Sequence, residues 1–408
     1  MWVEPDASDP ISVRRGKSFR MSISETSQPA VARGLEGIVA AATNISEVDG
    51  MNGKLTLRGY DISELSGNVI FEEVAFLLWY GHLPNTLELS TLMNTMCTAR
   101  ELPSEVLSCL KTVSSKATGM DVVRIGAAML SIDDENLNSL DIPTAKHRAA
   151  RLQAQMPAIV AHAYRLSQGL DIVHPKPEHT LAAGFLYMLE GEEPTEPRVA
   201  ALNAYLVAVA EHGLNASTFA GRVIESTDSD MVSALTGAIG ALKGSKHGGV
   251  PGPVLKMLQE IGSPSNADAF IRTEIVAGRR IMGFGHRVYK VRDPRAALLS
   301  TAAERMAALT GDDHLLQLTK AVEETTVRVL AELKPGRDLH ANVELYAALI
   351  LHAVGVPSEL FTPIFAVGRT SGWTAHMLDQ IEDARLIRPS SIYVGPRDLK
   401  FVPISDRT

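Results

Sequence analysis

Apolar and polar positions along most of the chain repeat with the period of a helix. Residues 71–85, FEEVAFLLWYGHLPN, begin acidic, run apolar and stop at Gly81 and Pro84. That is the order in which a helix starts and ends. Segments of the same kind cover about 104–115, 145–168, 178–190, 198–211, 216–227 and 230–243. Others cover about 252–261, 266–278, 294–309, 314–333, 341–354 and 364–380. Ser217-Thr218 and Asp293-Pro294 mark helix starts. Strand-like alternation is confined to GKLTLRGYDI (53–62) and SSIYVG (390–395), neither long enough to build a sheet domain. No internal repeat or low-complexity tract interrupts the pattern. The expected fold is mostly α.

One helical segment poses a chemical question. Residues 340–355, HANVELYAALILHAVG, are almost wholly apolar apart from Glu344. On a helix, Ala347, Ala348 and Leu351 share the face of Glu344, and Leu345 and Leu349 make the opposite face no more polar. A helix apolar all round is a buried helix. A carboxylate in it is costly unless it is paired or protonated. Glu344 is therefore either a structural partner of an arginine or a catalytic base.

Composition bounds the rest. The 408 residues exceed the common single-domain range of about 100–200, so one large domain with an insertion, or two domains, is expected. Hydrophobic residues make up 45% and aromatics only 5%, a balance that favours helix over sheet. The net charge of −8 carries no nucleic-acid footprint. Cys97 and Cys109 show no metal or redox spacing and are expected to be reduced, which fits a cytoplasmic location. No apolar run reaches the roughly 18 residues of a membrane span. Residues 1–30 lack a secretory apolar core and are expected to form a disordered tail, with Met21 as an alternative start.

Against the acidic average, residues 279–295 (RRIMGFGHRVYKVRDPR) hold six Arg or Lys and a single Asp. They form either a solvated basic face or an anion site. The turn-forming GFG before His286 favours the anion site, because glycine lets backbone approach a ligand closely. It is not a dinucleotide fingerprint, and GALKGSK (240–246) does not have P-loop spacing. His212, His247 and His286 each neighbour glycine where a helix pattern breaks, whereas His340, His352 and His376 lie in or beside apolar helices and are expected to be structural. Two His and a carboxylate are a known metal trio, but no pair falls at i, i+4 as in HExxH. The other use is acid–base chemistry on a polyanion. Arg295, Arg369 and Arg388, near glycine or proline breaks, would then be carboxylate clamps.

At LNASTFAGRV (214–223), KHGGV (246–250), GFGHRVYKVRDPRA (283–296) and PIFAVGRTSGWTAHMLDQ (363–380) the chain resembles the citrate synthase family, which includes 2-methylcitrate synthases. The resemblance runs from GLEGIVAAATNIS (34–46) and LTLRGYDISEL (55–65) to RPSSIYVG (388–395). It implies a helical homodimer. The large domain would be 31–247 plus 356–408, and an inserted small domain 248–355. It also implies closure over oxaloacetate before acyl-CoA binds. The reaction implied is a Claisen condensation of acetyl-CoA with oxaloacetate, then hydrolysis of citryl-CoA, with acetyl-CoA as co-substrate, no permanently bound cofactor and no metal.

By the same resemblance Glu344 stands where the base removes a methyl proton. His247 would donate a hydrogen bond to the thioester carbonyl, and His286 would polarise the ketone and protonate the alkoxide. His212, Arg295 and Arg369 would hold oxaloacetate, with Arg388 arriving from the other subunit. Lys290, and less specifically Arg287 and Lys246, would meet CoA phosphates. Three positions depart from the family pattern. NVELYAA has Glu344 where NVDFYSG has Asp, EHGLNAST has Gly213 after the histidine, and KHGGVPG has Val250 and Pro251 where LHGGAN is common. Without the extension of the NADH-regulated type, no NADH site is expected. A 2-methylcitrate synthase using propionyl-CoA, and a non-catalytic paralogue that binds oxaloacetate or CoA, are the alternatives.

Overall fold

A computed structural model describes residues 31–248, 251–336 and 339–407. The tail expected over 1–30, together with Gly249 and Val250, lies outside the described residues. They fall into two compact units. The smaller joins the stretch up to Ala42 with that from Pro389 onward. Among its described residues, regular structure is limited to 3-10 turns at Arg33–Leu35 and Ile404–Asp406. No strand forms over 390–395, which corrects the expectation there.

The larger unit, Thr43–Arg388, opens with an antiparallel meander of β1 (Ser46–Asp49), β2 (Lys54–Leu57) and β3 (Tyr60–Asp61), with Ser46 opposite Leu57 and Thr56 opposite Asp61. Helices follow: α1 (Ile62–Leu65), α2 (Phe71–Tyr80), α3 (Thr86–Ala99), α4 (Ser104–Val113), α5 (Gly119–Met129) and α6 (Ile142–Ser167). Next come α7 (Leu181–Glu190), α8 (Glu196–Val209), α9 (Ala216–Glu225), α10 (Met231–Leu242) and α11 (Pro251–Ile261). The last are α12 (Ala267–Val276), α13 (Pro294–Thr310), α14 (His314–Leu333), α15 (Val343–Ala353) and α16 (Phe361–Asp383).

The helix starts expected from sequence match those observed to within a turn, and their caps show why. Asp141, Thr180, Asn215, Asp230, Asp293 and Asn342 each accept a first-turn amide with their side chain. The α9 cap is Asn215, two residues before the Ser217-Thr218 pair expected to mark it. Three helices were not expected: the one-turn α1, and the longer α3 and α5. The residues of the longer two are poor helix formers: α3 is rich in Thr and Ser, and α5 opens on glycine. A reciprocal cap rescues α3, in which Asn85 accepts from Leu87 and Glu88 while Glu88 accepts from the Asn85 amide.

The core is built around α6 and α16, both buried on most of their surface and packed together. Gln153 of α6 donates to the Val367 carbonyl of α16 (2.9 Å), a buried bond that sets their register. The end of α8 runs against α16 at Gly372. A Cβ there would collide with the Ala210 carbonyl and Glu211, so only glycine lets the chains pass. That approach carries residues 211–212 into the neighbourhood of Arg369.

Candidate active site

Arg369 is buried on α16. Its Nε donates to the Val209 carbonyl (2.6 Å) and its guanidinium lies over the Phe365 ring (4.7 Å). Burial pushes its pKa down to about 10, with Glu211 opposing. Arg295 sits in the first turn of α13. The Asp293 cap accepts from its amide (3.0 Å), its Nε (3.0 Å) and its Nη2 (2.7 Å), and both side chains are buried. Burial would push this guanidinium down too, but the Asp293 fork reverses the effect and holds it above its ordinary value. Arg295 and Arg369 sense each other, and both act on His212, so two cations share one buried locality.

The GFG turn carries His286. Gly283 has φ +80° and a Cβ there would come within 3.0 Å of the Leu345 Cβ, so both conformation and space require glycine. The Gly283 carbonyl accepts from the Asn342 amide (2.9 Å) and the Gly285 carbonyl from the Asn342 side chain (2.9 Å). Asn342 also caps α15 by accepting from the Glu344 amide (3.0 Å). One asparagine therefore ties the His286 turn to the first turn of the Glu344 helix.

His286 Nδ1 accepts from the amides of Val288 (3.0 Å) and Tyr289 (3.1 Å). Its proton is therefore on Nε2. Burial, then Arg295, pulls its pKa down to about 4, so the ring is neutral at pH 7. His212 stands nearly perpendicular to it, ring centroids 5.3 Å apart, and is held well below its ordinary value by burial and then Arg295 and Arg369.

His247 approaches from the loop after α10. Its Nε2 lies 2.8 Å from Ser217 Oγ and accepts from the Ser217 amide (3.3 Å) at the start of α9. Trp373 Nε1 donates to the same hydroxyl (3.1 Å). An amide cannot accept, so Nε2 carries the lone pair and Nδ1 the proton. Burial, then Arg369, lowers its pKa, and the helix N-terminus also disfavours the cation. Glu344 is partly buried, and burial pushes its pKa up to about 7 against the pull of Arg280 and Arg295.

The structure thus gathers His212, His286, Arg295, Arg369, His247 and Glu344 through shared neighbours. Of the remaining candidates, Lys290 acts on His286 and Arg287 lines a cavity with it. Arg388 is exposed at the end of the larger unit, and Lys246, Arg287 and Lys290 are exposed. The Lys290 amide donates to the Gly50 carbonyl (2.9 Å). Arg287 lines a cavity of about 460 Å³ beside His286 with Arg279, Arg280 and Lys334. Sequence reasoning missed Ser217, Tyr289, Asp293 and Trp373. Of these, Ser217 and Asp293 carried a signal, and only as marks of helix starts. His376, expected to be structural, is buried against Glu211 (3.1 Å). Among the described residues no group of three or more His, Cys, Asp or Glu could hold a metal, and no helix is long and apolar enough to cross a membrane.

Residues 34–390 match the family described as citrate synthase, C-terminal domain. Citrate synthase 2 of Bacillus subtilis is 42% identical over 376 residues, 92% of this chain and 99% of that protein. The chain belongs to the citrate synthase family. It is an enzyme of that family, with the all-α citrate synthase fold. A 2-methylcitrate synthase of Shewanella oneidensis is 37% identical, covering 92% of this chain and 97% of that one. The citrate synthase of Thermoplasma acidophilum, solved as a ternary complex with carboxymethyl coenzyme A and oxaloacetate, superposes with a TM-score of 0.85 at 29% identity. The match covers 93% of this chain and all of that one.

Proposed function

We propose that the chain condenses acetyl-CoA with oxaloacetate and hydrolyses the resulting citryl-CoA to citrate and CoA. The observation that carries this is a carboxylate of raised proton affinity beside uncharged histidines and two buried arginines. Arg295 and Arg369 hold the two carboxylates of oxaloacetate, joined by Arg388 of the partner subunit in a homodimer, and His212 contacts the same substrate. Glu344 removes a proton from the methyl carbon of acetyl-CoA, a task suited to a base whose pKa lies near 7. The His247 Nδ1–H donates to the thioester carbonyl oxygen as charge develops there. The enol carbon attacks the ketone, and His286 Nε2–H supports that oxygen and then gives it the proton. Water cleaves the thioester.

CoA phosphates meet Lys290, Arg287 and Lys246, and the basic cavity beside His286 suits the same anion. Residues 248–355 form the small domain, which closes on the large domain, 31–247 plus 356–408, once oxaloacetate is bound. The reaction needs neither a metal nor a permanently bound cofactor. A cytoplasmic location fits the two free cysteines.

The second reading is 2-methylcitrate synthesis from propionyl-CoA, favoured by relatives of that name at 37% identity. One methylene is worth only about 1–3 kcal/mol in an apolar pocket. Release of free CoA with oxaloacetate and either acyl-CoA tests both. A higher kcat/KM for acetyl-CoA supports the first, and a higher one for propionyl-CoA supports the second. No turnover with either, in folded protein that still binds oxaloacetate, refutes both.

A further inference from the structure

Tyr289 touches both histidines of the cleft that come from distant parts of the chain. It follows His286 by three residues, is 4% exposed, and donates its amide to His286 Nδ1 (3.1 Å). Its hydroxyl lies 3.2 Å from His212 Nε2, although the two residues are 77 positions apart. The phenol ring stands 4.9 Å from the His286 ring and 5.5 Å from that of His212, completing a three-ring cluster.

We propose that Tyr289 is a positioning residue whose phenol donates to His212 Nε2, fixing that imidazole as the neutral Nδ1–H tautomer in one orientation. Tyr289 is buried, and His212 Nε2 is the partner the structure gives its hydroxyl, whose proton needs an acceptor. Nε2 is then the lone pair, and the hydroxyl facing it must be the donor. Burial raises the phenol's pKa, so it keeps its proton across the working range. The other groups facing His212 are Arg295, Arg369 and His286, and all of them disfavour a positive imidazole. Of the neighbouring Glu211 carboxylate, Oε1 accepts from Ser46 and lies 3.1 Å from His376 Nε2, and its charge acts on Arg369. The phenol bond adds direction to what these charges supply only as a bias. It is available only when the 286–290 turn lies against residue 212, so the alignment of His212 depends on the seating of that turn.

The consequence for turnover rests on the proposed role of His212 as an oxaloacetate contact; the tautomer does not. Tyr289→Phe keeps a ring between the two imidazoles and removes only the hydroxyl. In this variant kcat/KM for oxaloacetate should fall about five- to tenfold, mostly through KM. The acidic limb of its pH profile should move to higher pH, because His212 loses a donor to its neutral form. Independently, ¹⁵N NMR of imidazole-labelled parent protein at pH 7–8 should show His212 with a protonated Nδ1 and a bare Nε2. A protonated Nε2 in the parent, or a Phe variant with unchanged KM and acidic limb, would overturn the inference. If the parent fails to condense either acyl-CoA, the proposed function falls, yet the NMR tautomer still decides the role of Tyr289. It also decides it if the Phe variant does not fold.

Discussion

Glu344→Gln separates a desolvated base from a structural ion pair by the sign of a stability change. Burial displaces this carboxyl from 4.5 to about 7. Each pKa unit is worth about 1.4 kcal/mol, so the ionised form is disfavoured by about 3 kcal/mol in the folded state. The folded protein binds more protons than the unfolded chain between these two values, and its stability therefore falls as pH rises through that window. Gln keeps the shape and carries no charge. At pH 4 the variant should melt with the parent, and at pH 8 it should melt higher. For a chain of this length about 3 kcal/mol corresponds to a Tm gain of about 3 °C. Thermal unfolding of both proteins at one scan rate across pH 4–8 checks it. Turnover should be abolished while oxaloacetate binding, read by calorimetry, is retained. If the variant instead melted lower at pH 8, Glu344 would be the partner of Arg280 or Arg295, and the base assignment would fail.

Arg295→Lys keeps the charge but loses the fork that engages Asp293 through two nitrogens. KM for oxaloacetate should rise about ten- to a hundredfold, with unchanged steady-state kinetics counting against its role as a clamp. Gly283→Ala puts a side chain at φ +80° and within 3.0 Å of Leu345. It should cost about 1–3 kcal/mol, seen as a lower Tm, and should reduce kcat because the same turn carries His286.

Helix periodicity and caps made most of the fold legible, since a stripe of Leu and Ala ending at glycine needs no tertiary information to be recognised. α3 and α5 escaped because their stability comes from a reciprocal cap and from packing, such as that of Gly126 against Ile159. The chemistry of the site was legible as residue types at chain breaks: His286 after GFG, Arg369 after a glycine, and a lone Glu344 in an apolar helix. What could not be read was who orients them. Ser217, Trp373 and Tyr289 act at range. A serine 30 residues before His247, or a tyrosine 77 after His212, leaves no local pattern.

The arrangement also bears on the order of events. Arg295 lowers the proton affinity of Glu344, and Arg369 is a buried cation whose pKa is already down to about 10. Three neutral histidines add no compensating charge. A dicarboxylate bound between the arginines would offset both cations. Glu344 would then lose the pull of Arg295, and its proton affinity would rise only after that substrate had arrived. A base that strengthens on oxaloacetate binding is poised against acyl-CoA in the binary complex more than in the free enzyme. The acidic pKa in the pH profile of kcat should therefore lie above the value of about 7 that Glu344 has in the unliganded protein. A kcat profile whose acidic limb lay below it would show that the arginines are not what tunes the base.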